Sequence, residues 1–153
     1  EISCSLVGSE MCIRDRSHPP ADLFEEAVSG GEAKLLGRWG EALAAEFLRR
    51  KGYRIVAAGW RCRFGELDLV AERGEFLCFV EVKLRGSERF GAGAEQVDRR
   101  KRERLRTTAE LYLQQHPSPL QPRFDVVEIL APQGMATKRP GIRQIENAFS
   151  GAE

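Results

Sequence analysis

Histidine and paired cysteines are scarce in this 153-residue chain: it has two histidines, and its four cysteines, Cys4, Cys12, Cys62 and Cys78, form no Cys-x-x-Cys pair and no Cys/His cluster. That argues against a structural zinc site, and Cys78, inside an apolar run, reads as a small buried hydrophobe. Long hydrophobic runs are missing too. No stretch approaches the roughly 20 apolar residues that span a bilayer, and the N-terminus has no charged start followed by an apolar segment, so a soluble cytoplasmic protein without membrane contact is expected. The net charge of +1 is too small to name a partner, and the distribution of charge matters more than its sum. With 42% hydrophobic and 31% charged residues, the composition suits one globular domain with a substantial core.

The chain is organised around Phe76 to Arg85, an apolar run broken by Glu81, Lys83 and Arg85. Strand residues alternate, so Phe76, Cys78, Val80, Val82 and Leu84 share one face and Leu77, Phe79, Glu81, Lys83 and Arg85 the other. Upstream, Leu67 to Ala71 reads as a second strand, and Glu72-Arg73-Gly74-Glu75 as the turn of a hairpin. With Arg73 and Gly74 as the loop, Val70 faces Leu77, Asp68 faces Phe79 and Glu66 faces Glu81, which sets Asp68 diagonal to Glu81 on one surface. A slip of one residue would send Asp68 to the other face. Such charges can be the solvated side of an antiparallel hairpin. Val70, Leu77 and Phe79 share that side, however, so it should be partly covered, and covered carboxylates need a cation or donors to stay ionised. An Asp and a Glu on adjacent strands, with a Lys two residues beyond the Glu, is also the donor set of a hydrolytic magnesium site, the ammonium standing beside an attacking water or a developing phosphorane charge.

Around this hairpin the remaining elements fall in order. Residues 1–20 lack periodicity and resemble a translated adapter, so 1–30 is expected to be a disordered, partly artefactual tail ahead of a domain over 31–150. Asp22 to Val28 can form a short helical turn. From Glu32 to Lys51 the spacing of Leu36, Trp39, Leu43, Phe47 and Leu48 predicts a helix closed by Gly52. Glu41, near Gly37, Ala44 and Ala45, is either a border residue of that helix or a carboxylate reaching the sheet. Tyr53 to Ala58 predicts a strand, and Gly59 to Gly65 a basic connection whose Arg61 and Arg63 suit phosphates or plain surface.

After Arg85, glycines at 86, 91 and 93 mark a mobile loop. A helix is expected from Ala94 to Gln115, with Val97, Leu105, Ala109, Tyr112 and Lys101 on one stripe and Arg99, Arg100, Arg102 and Arg106 elsewhere. From Arg85 to Arg106 there are eight Lys or Arg against four Asp or Glu. A charge run on a helix is commonly a solvated face, but beside an acidic site it supplies phosphate contacts for a polyanion. Arg123 to Leu130 predicts another strand, and Ile142 to Phe149 a closing strand or a turn of helix. The order of elements suggests an α/β sandwich with helices packed on a mixed sheet.

Gly37-Arg-Trp-Gly-Glu-Ala42, Gly65-Glu-Leu-Asp-Leu-Val70, Phe79-Val-Glu-Val-Lys-Leu-Arg85 and Arg123-Phe-Asp-Val-Val127, in this order, resemble the motifs of the YraN-like family of small, largely uncharacterised bacterial proteins. That family is similar to the PD-(D/E)xK nuclease superfamily and, within it, to archaeal Holliday junction resolvases. The resemblance implies a restriction-endonuclease-like α/β/α sandwich with a central mixed sheet. It implies metal contacts from Asp68, Glu81, Glu41 and the Val82 carbonyl, a catalytic lysine in Lys83, and magnesium or manganese as the ion. Gly59 stands where relatives often carry asparagine, and Lys101 resembles a recurrent lysine of the family.

The expectation is a metal-dependent endonuclease cleaving a phosphodiester in structured or branched DNA, with Asp68, Glu81, Lys83 and Glu41 catalytic. Arg61, Arg63, Arg85, Arg99, Arg100, Lys101 and Arg102 would grip the nucleic acid backbone. A homodimer fits the resemblance, because junction resolvases work as symmetric pairs. The rival expectations are a nucleic-acid-binding module of a repair assembly without catalysis of its own, and a structural interaction module.

Overall fold

The computed structural model describes residues 24–86 and 98–149. The expected tail therefore lies largely outside the described residues, as do most of the glycine loop and the expected start of the second helix, 94–97. Helix α1 spans Phe24–Arg50, helix α2 spans Arg99–Gln115, and five strands are described: β1 Arg54–Cys62, β2 Gly65–Arg73, β3 Phe76–Arg85, β4 Gln121–Leu130 and β5 Gly141–Phe149. The strands form one sheet in sequence order. β3 and β4 are parallel and the other neighbours antiparallel, so the sheet is mixed. α2 crosses between the two parallel strands, which no tight turn can join.

One helix covers each face. Leu77, Phe79, Val70, Leu67 and Trp60 pack against Leu105, Ala109 and Tyr112 of α2. Cys78, Val80, Leu69 and Ala71 pack against Ala44, Ala45 and Leu48 of α1. The domain is thus an α/β sandwich, and the two faces of β3 are divided as its alternation predicts. Among the described residues no helix is long and apolar enough to cross a membrane.

Several expectations are corrected. α1 runs unbroken from Phe24, so residues 24–30 of the expected tail belong to it, and nothing in the structure explains why Gly30 and Gly31 leave it intact. β1 does not stop at Ala58 but continues through Gly59, whose φ of 65° lies in the left-handed region. Glycine meets that backbone demand without steric cost. The β2–β3 register also moves. Its pairs are Arg73 with Phe76, Glu72 with Leu77 and Val70 with Phe79, so the turn is Gly74-Glu75. Gly74, at φ 58°, takes the first central position of a primed turn rather than the second. The shift is by two residues, so Asp68 stays on the face of Glu81. Ile142 to Phe149 resolves as strand β5.

A buried polar knot ties β5 to the sheet. The carboxylate of Asp125, fully buried, accepts from Arg123 Nε and Nη2 at 2.9 and 2.8 Å, from Gln144 Nε2 at 2.8 Å and from the N–H of Asn147 at 3.0 Å. Arg123 also donates to Tyr53 Oη at 2.8 Å. Removing one partner of such a buried pair strands the other charge. Asp125→Ala should therefore lose about 3 kcal/mol or more in urea unfolding; a loss below about 1 kcal/mol would show that Arg123 finds water instead.

Candidate metal and nucleic-acid site

β2 and β3 pair only as far as Leu69 and Val80, although β2 begins at Gly65 and β3 continues to Arg85. Beyond that point the strands fork. In the fork the N–H of Val82 donates to Asp68 Oδ2 at 2.9 Å, so a side-chain carboxylate replaces the missing ladder acceptor. The N–H and C=O of a strand residue point to the same neighbour, which turns the Val82 carbonyl toward the fork as well.

The alternation of β2 breaks at Asp68. Leu67 belongs to the α2 side and Leu69 to the α1 side, where strict alternation would put both on one side. Gly59 stands level with this break, between the pairs Ala58 with Leu69 and Trp60 with Leu67. Asp68 thus sits where groups from both layers converge. From the α1 side comes Glu41; next to it, a Cβ on Gly40 would lie 3.6 Å from Leu84 Cδ1, so α1 packs directly on the sheet here. Carboxylate oxygens of Glu41, Glu66 and Asp68 lie within 4.8 Å of one another. From the α2 side comes Lys101, whose Nζ lies 2.5 Å from Glu81 Oε2, while Lys83 Nζ lies 3.5 Å from the same oxygen. Asp98 caps α2 by accepting from the N–H of Lys101 at 2.9 Å, which fixes where that lysine starts.

The charges are crowded. Burial, with Glu66 beside it, pushes the Glu41 carboxyl up to about 7. Burial and the neighbouring Glu81 hold Asp68 well above the usual range, against the Val82 N–H that favours its charged form. Burial also lowers Lys83, with Lys101 adding to it and Glu81 opposing. For Lys101 burial acts downward, but the bond to Glu81, the charge of Glu81 and the contact with Lys83 together leave it above its usual value. Three hard oxygen donors within reach of one point, two of them reluctant to ionise together, fit a divalent cation.

The expected residues divide accordingly. Asp68 and Glu41 join the cation-sized cluster, Glu81 is held by the two lysines, and Val82 lines the fork. Arg61 pairs with Glu66 at 3.0 Å, Arg99 with Glu103 at 3.4 Å, and Arg102 lies over the Phe149 ring. Arg85, with Arg143, pairs with the fully buried Glu128. Arg63 and Arg100 face open clefts. Two residues were missed. Glu66 completes the cluster, and Arg104, one helical turn after Arg100, lines the same clefts; its i, i+4 spacing was the available signal.

The model of the Uncharacterised protein family UPF0102 matches residues 40–129, which hold Glu41, Asp68, Glu81, Lys83 and Lys101. The chain belongs to the UPF0102 family. A UPF0102 protein of Nocardia farcinica is 47% identical over 120 residues, covering 78% of this chain and 92% of the relative. One of Renibacterium salmoninarum is 51% identical over 102 residues, 65% of this chain and 85% of the relative. One of Syntrophomonas wolfei is 47% identical over 115 residues, 74% and 96%. The YraN-like resemblance is thereby shown, and the UPF0102 match takes in the last three of its four motifs whole and the end of the first.

The raised Glu41 pKa has a measurable consequence. The folded chain binds this proton more tightly than the unfolded chain, so the contribution is favourable below pH 4.5 and is lost as pH rises from there to about 7. Without divalent ions, Glu41→Gln should flatten that fall and be more stable than the parent near pH 8 by about 1–2 kcal/mol, discounted for the hydrated part of the group. Urea midpoints near pH 5 and pH 8 check this; equal differences at both would refute it.

Proposed function

We propose that this UPF0102 protein is a divalent-metal-dependent nuclease acting on structured or branched DNA. The observation that carries the reading is the convergence of Glu41, Glu66 and Asp68 in the β2–β3 fork, one residue pair away from Glu81 and its two lysines. Glu41, Glu66 and Asp68 would hold magnesium or manganese, with Glu81 at the border. When bound, such an ion lowers the pKa of water and neutralises charge on a scissile phosphate.

The chain's own groups do the rest. Lys83, 23% exposed and with a lowered pKa, stands where it can orient an attacking water or meet the added negative charge at phosphorus. Glu81 holds both ammonium groups on this side of the fork. The cavity over Asp68, Glu81 and Lys101, about 470 Å³, is flanked by Arg100 and Arg104, which suit the phosphates on either side of the reacting one.

One observation favours a second reading, a nucleic-acid-binding module without catalysis of its own: Glu81 already carries two lysines, so its oxygen is engaged. The two readings part in one experiment. Labelled duplex, single-stranded, flap and four-way-junction DNAs are incubated with magnesium or manganese and with the wild type, Asp68→Asn, Glu81→Ala or Lys83→Ala. The nuclease reading expects cutting of at least one substrate and a loss of about 100-fold or more in each variant. Salt-sensitive binding with no cutting under any of these conditions would establish the second reading.

A further inference from the structure

Beside the carboxylate fork lies a second cleft, about 630 Å³, between the β1–β2 turn and the outer face of α2. The turn consists of Arg63 and Phe64, bracketed by the pair Cys62 with Gly65. It is well anchored. The N–H of Phe64 donates to Cys62 Sγ at 3.4 Å, and a Cβ on Gly65 would lie 3.1 Å from Thr108 Oγ1, so the turn sits directly on the helix.

Phe64 is 39% exposed, the one exposed aromatic among the large hydrophobic residues described. Arg63 lies over its ring at 4.8 Å. Arg100 and Arg104 line the same cleft from α2, and neither they nor Arg63 pairs with a carboxylate among the described residues. The acid of the cleft, Glu103, is already engaged by Arg99. Gly65, Arg100 and Arg104 also border the cavity over Asp68 and Glu81, so the two spaces adjoin.

A ring with a guanidinium stacked on it, beside two more free guanidiniums, is a platform for a base with its flanking phosphates. A paired base inside a duplex keeps its faces against its neighbours and offers the protein only phosphates and edges. We propose that this cleft seats an unpaired nucleotide of a DNA strand, its base against Phe64 and its phosphates on Arg63, Arg100 and Arg104. The strand then continues to the carboxylate fork. This rests on the proposed nucleic-acid reading and narrows it: the substrate is a single-stranded segment, such as the unpaired arm of a branched DNA, rather than continuous duplex.

The test measures binding by fluorescence anisotropy in a chelator, so that cutting plays no part. The probes are a thymidine oligonucleotide of about 12 units, within the span one such groove covers, a blunt duplex of equal length, and an abasic single strand with the same phosphates. The wild type should hold the thymidine strand about tenfold more tightly than the abasic strand, the difference one stacked base supplies. Phe64→Ala should lose that tenfold for the thymidine strand and leave the abasic strand unchanged. Phe64→Trp should keep the affinity, and its indole should be quenched by the thymidine strand beyond any change in the parent.

Equal affinity for thymidine and abasic strands, or a duplex held as tightly as the single strand, overturns the proposal. So does a Phe64→Trp chain that folds as the parent and shows no added quenching. The nuclease reading fails separately. A chain that binds single strands through Phe64 and never cuts keeps the cleft and loses the nuclease; a chain that cuts while Phe64→Ala binds all three probes as the parent does keeps the nuclease and loses the cleft.

Discussion

The bond from the Val82 N–H to the Asp68 carboxylate is the interaction on which the rest of the site depends. In a continuous ladder that N–H would meet a backbone carbonyl of β2, the two strands would stay parallel in course, and the space between them would be closed by main chain. Substituting a side chain lets β2 turn away from β3 while no buried donor is left unsatisfied. The fork so formed is open to α1 on one side and to α2 on the other. That is why a helical glutamate and a helical lysine from opposite layers come to neighbouring strand carboxylates, an arrangement that an unbroken sheet would forbid.

The charged groups of the sheet fall into two kinds, and their environments separate them. Glu128 is fully buried yet answered by Arg85 and Arg143, and Asp125 is fully buried yet answered by Arg123, Gln144 and a backbone N–H. Such compensated charges give specificity and register to the sheet and leave nothing for a ligand. Glu41 and Asp68 differ: burial and neighbouring carboxylates push both upward, and the one short contact described for either is the Val82 N–H. Uncompensated carboxylates that the fold tolerates are where function is to be sought.

What was legible in the sequence follows from how local its causes are. β3 was read residue for residue because its alternation is uninterrupted and nothing but period 2 decides it. The hairpin was read with its faces right and its pairs displaced by two, because either central position of the turn can take a glycine and the choice depends on twist. β1 was cut short at Gly59, since a glycine in a strand reads as an ending when it here supplies a left-handed residue inside the strand. Glu66 escaped notice as a ligand because the displaced register set it opposite Glu81, and because the fork is a tertiary event with no local signature. The ion pair of Arg85 was not legible for a similar reason: its partner Glu128 is 43 residues away.

The start of α2 borders both clefts. Asp98 fixes the first turn, and from that turn Lys101 points to Glu81 while Arg100, with Arg104 a turn later, lines the cleft that holds Phe64. Side chains three and four apart share a helix face, whereas adjacent ones diverge by about 100°. Neighbouring residues 100 and 101 can therefore serve different spaces from one short stretch of backbone, and Arg104 can border both. Any displacement of this turn would move Arg100, Arg104 and the ammonium on Glu81 together. On the proposed reading, a polyanion drawn along the arginines would meet the carboxylate fork through the same element that neutralises Glu81, so binding and the electrostatic state of the fork would be coupled by construction rather than by a conformational change.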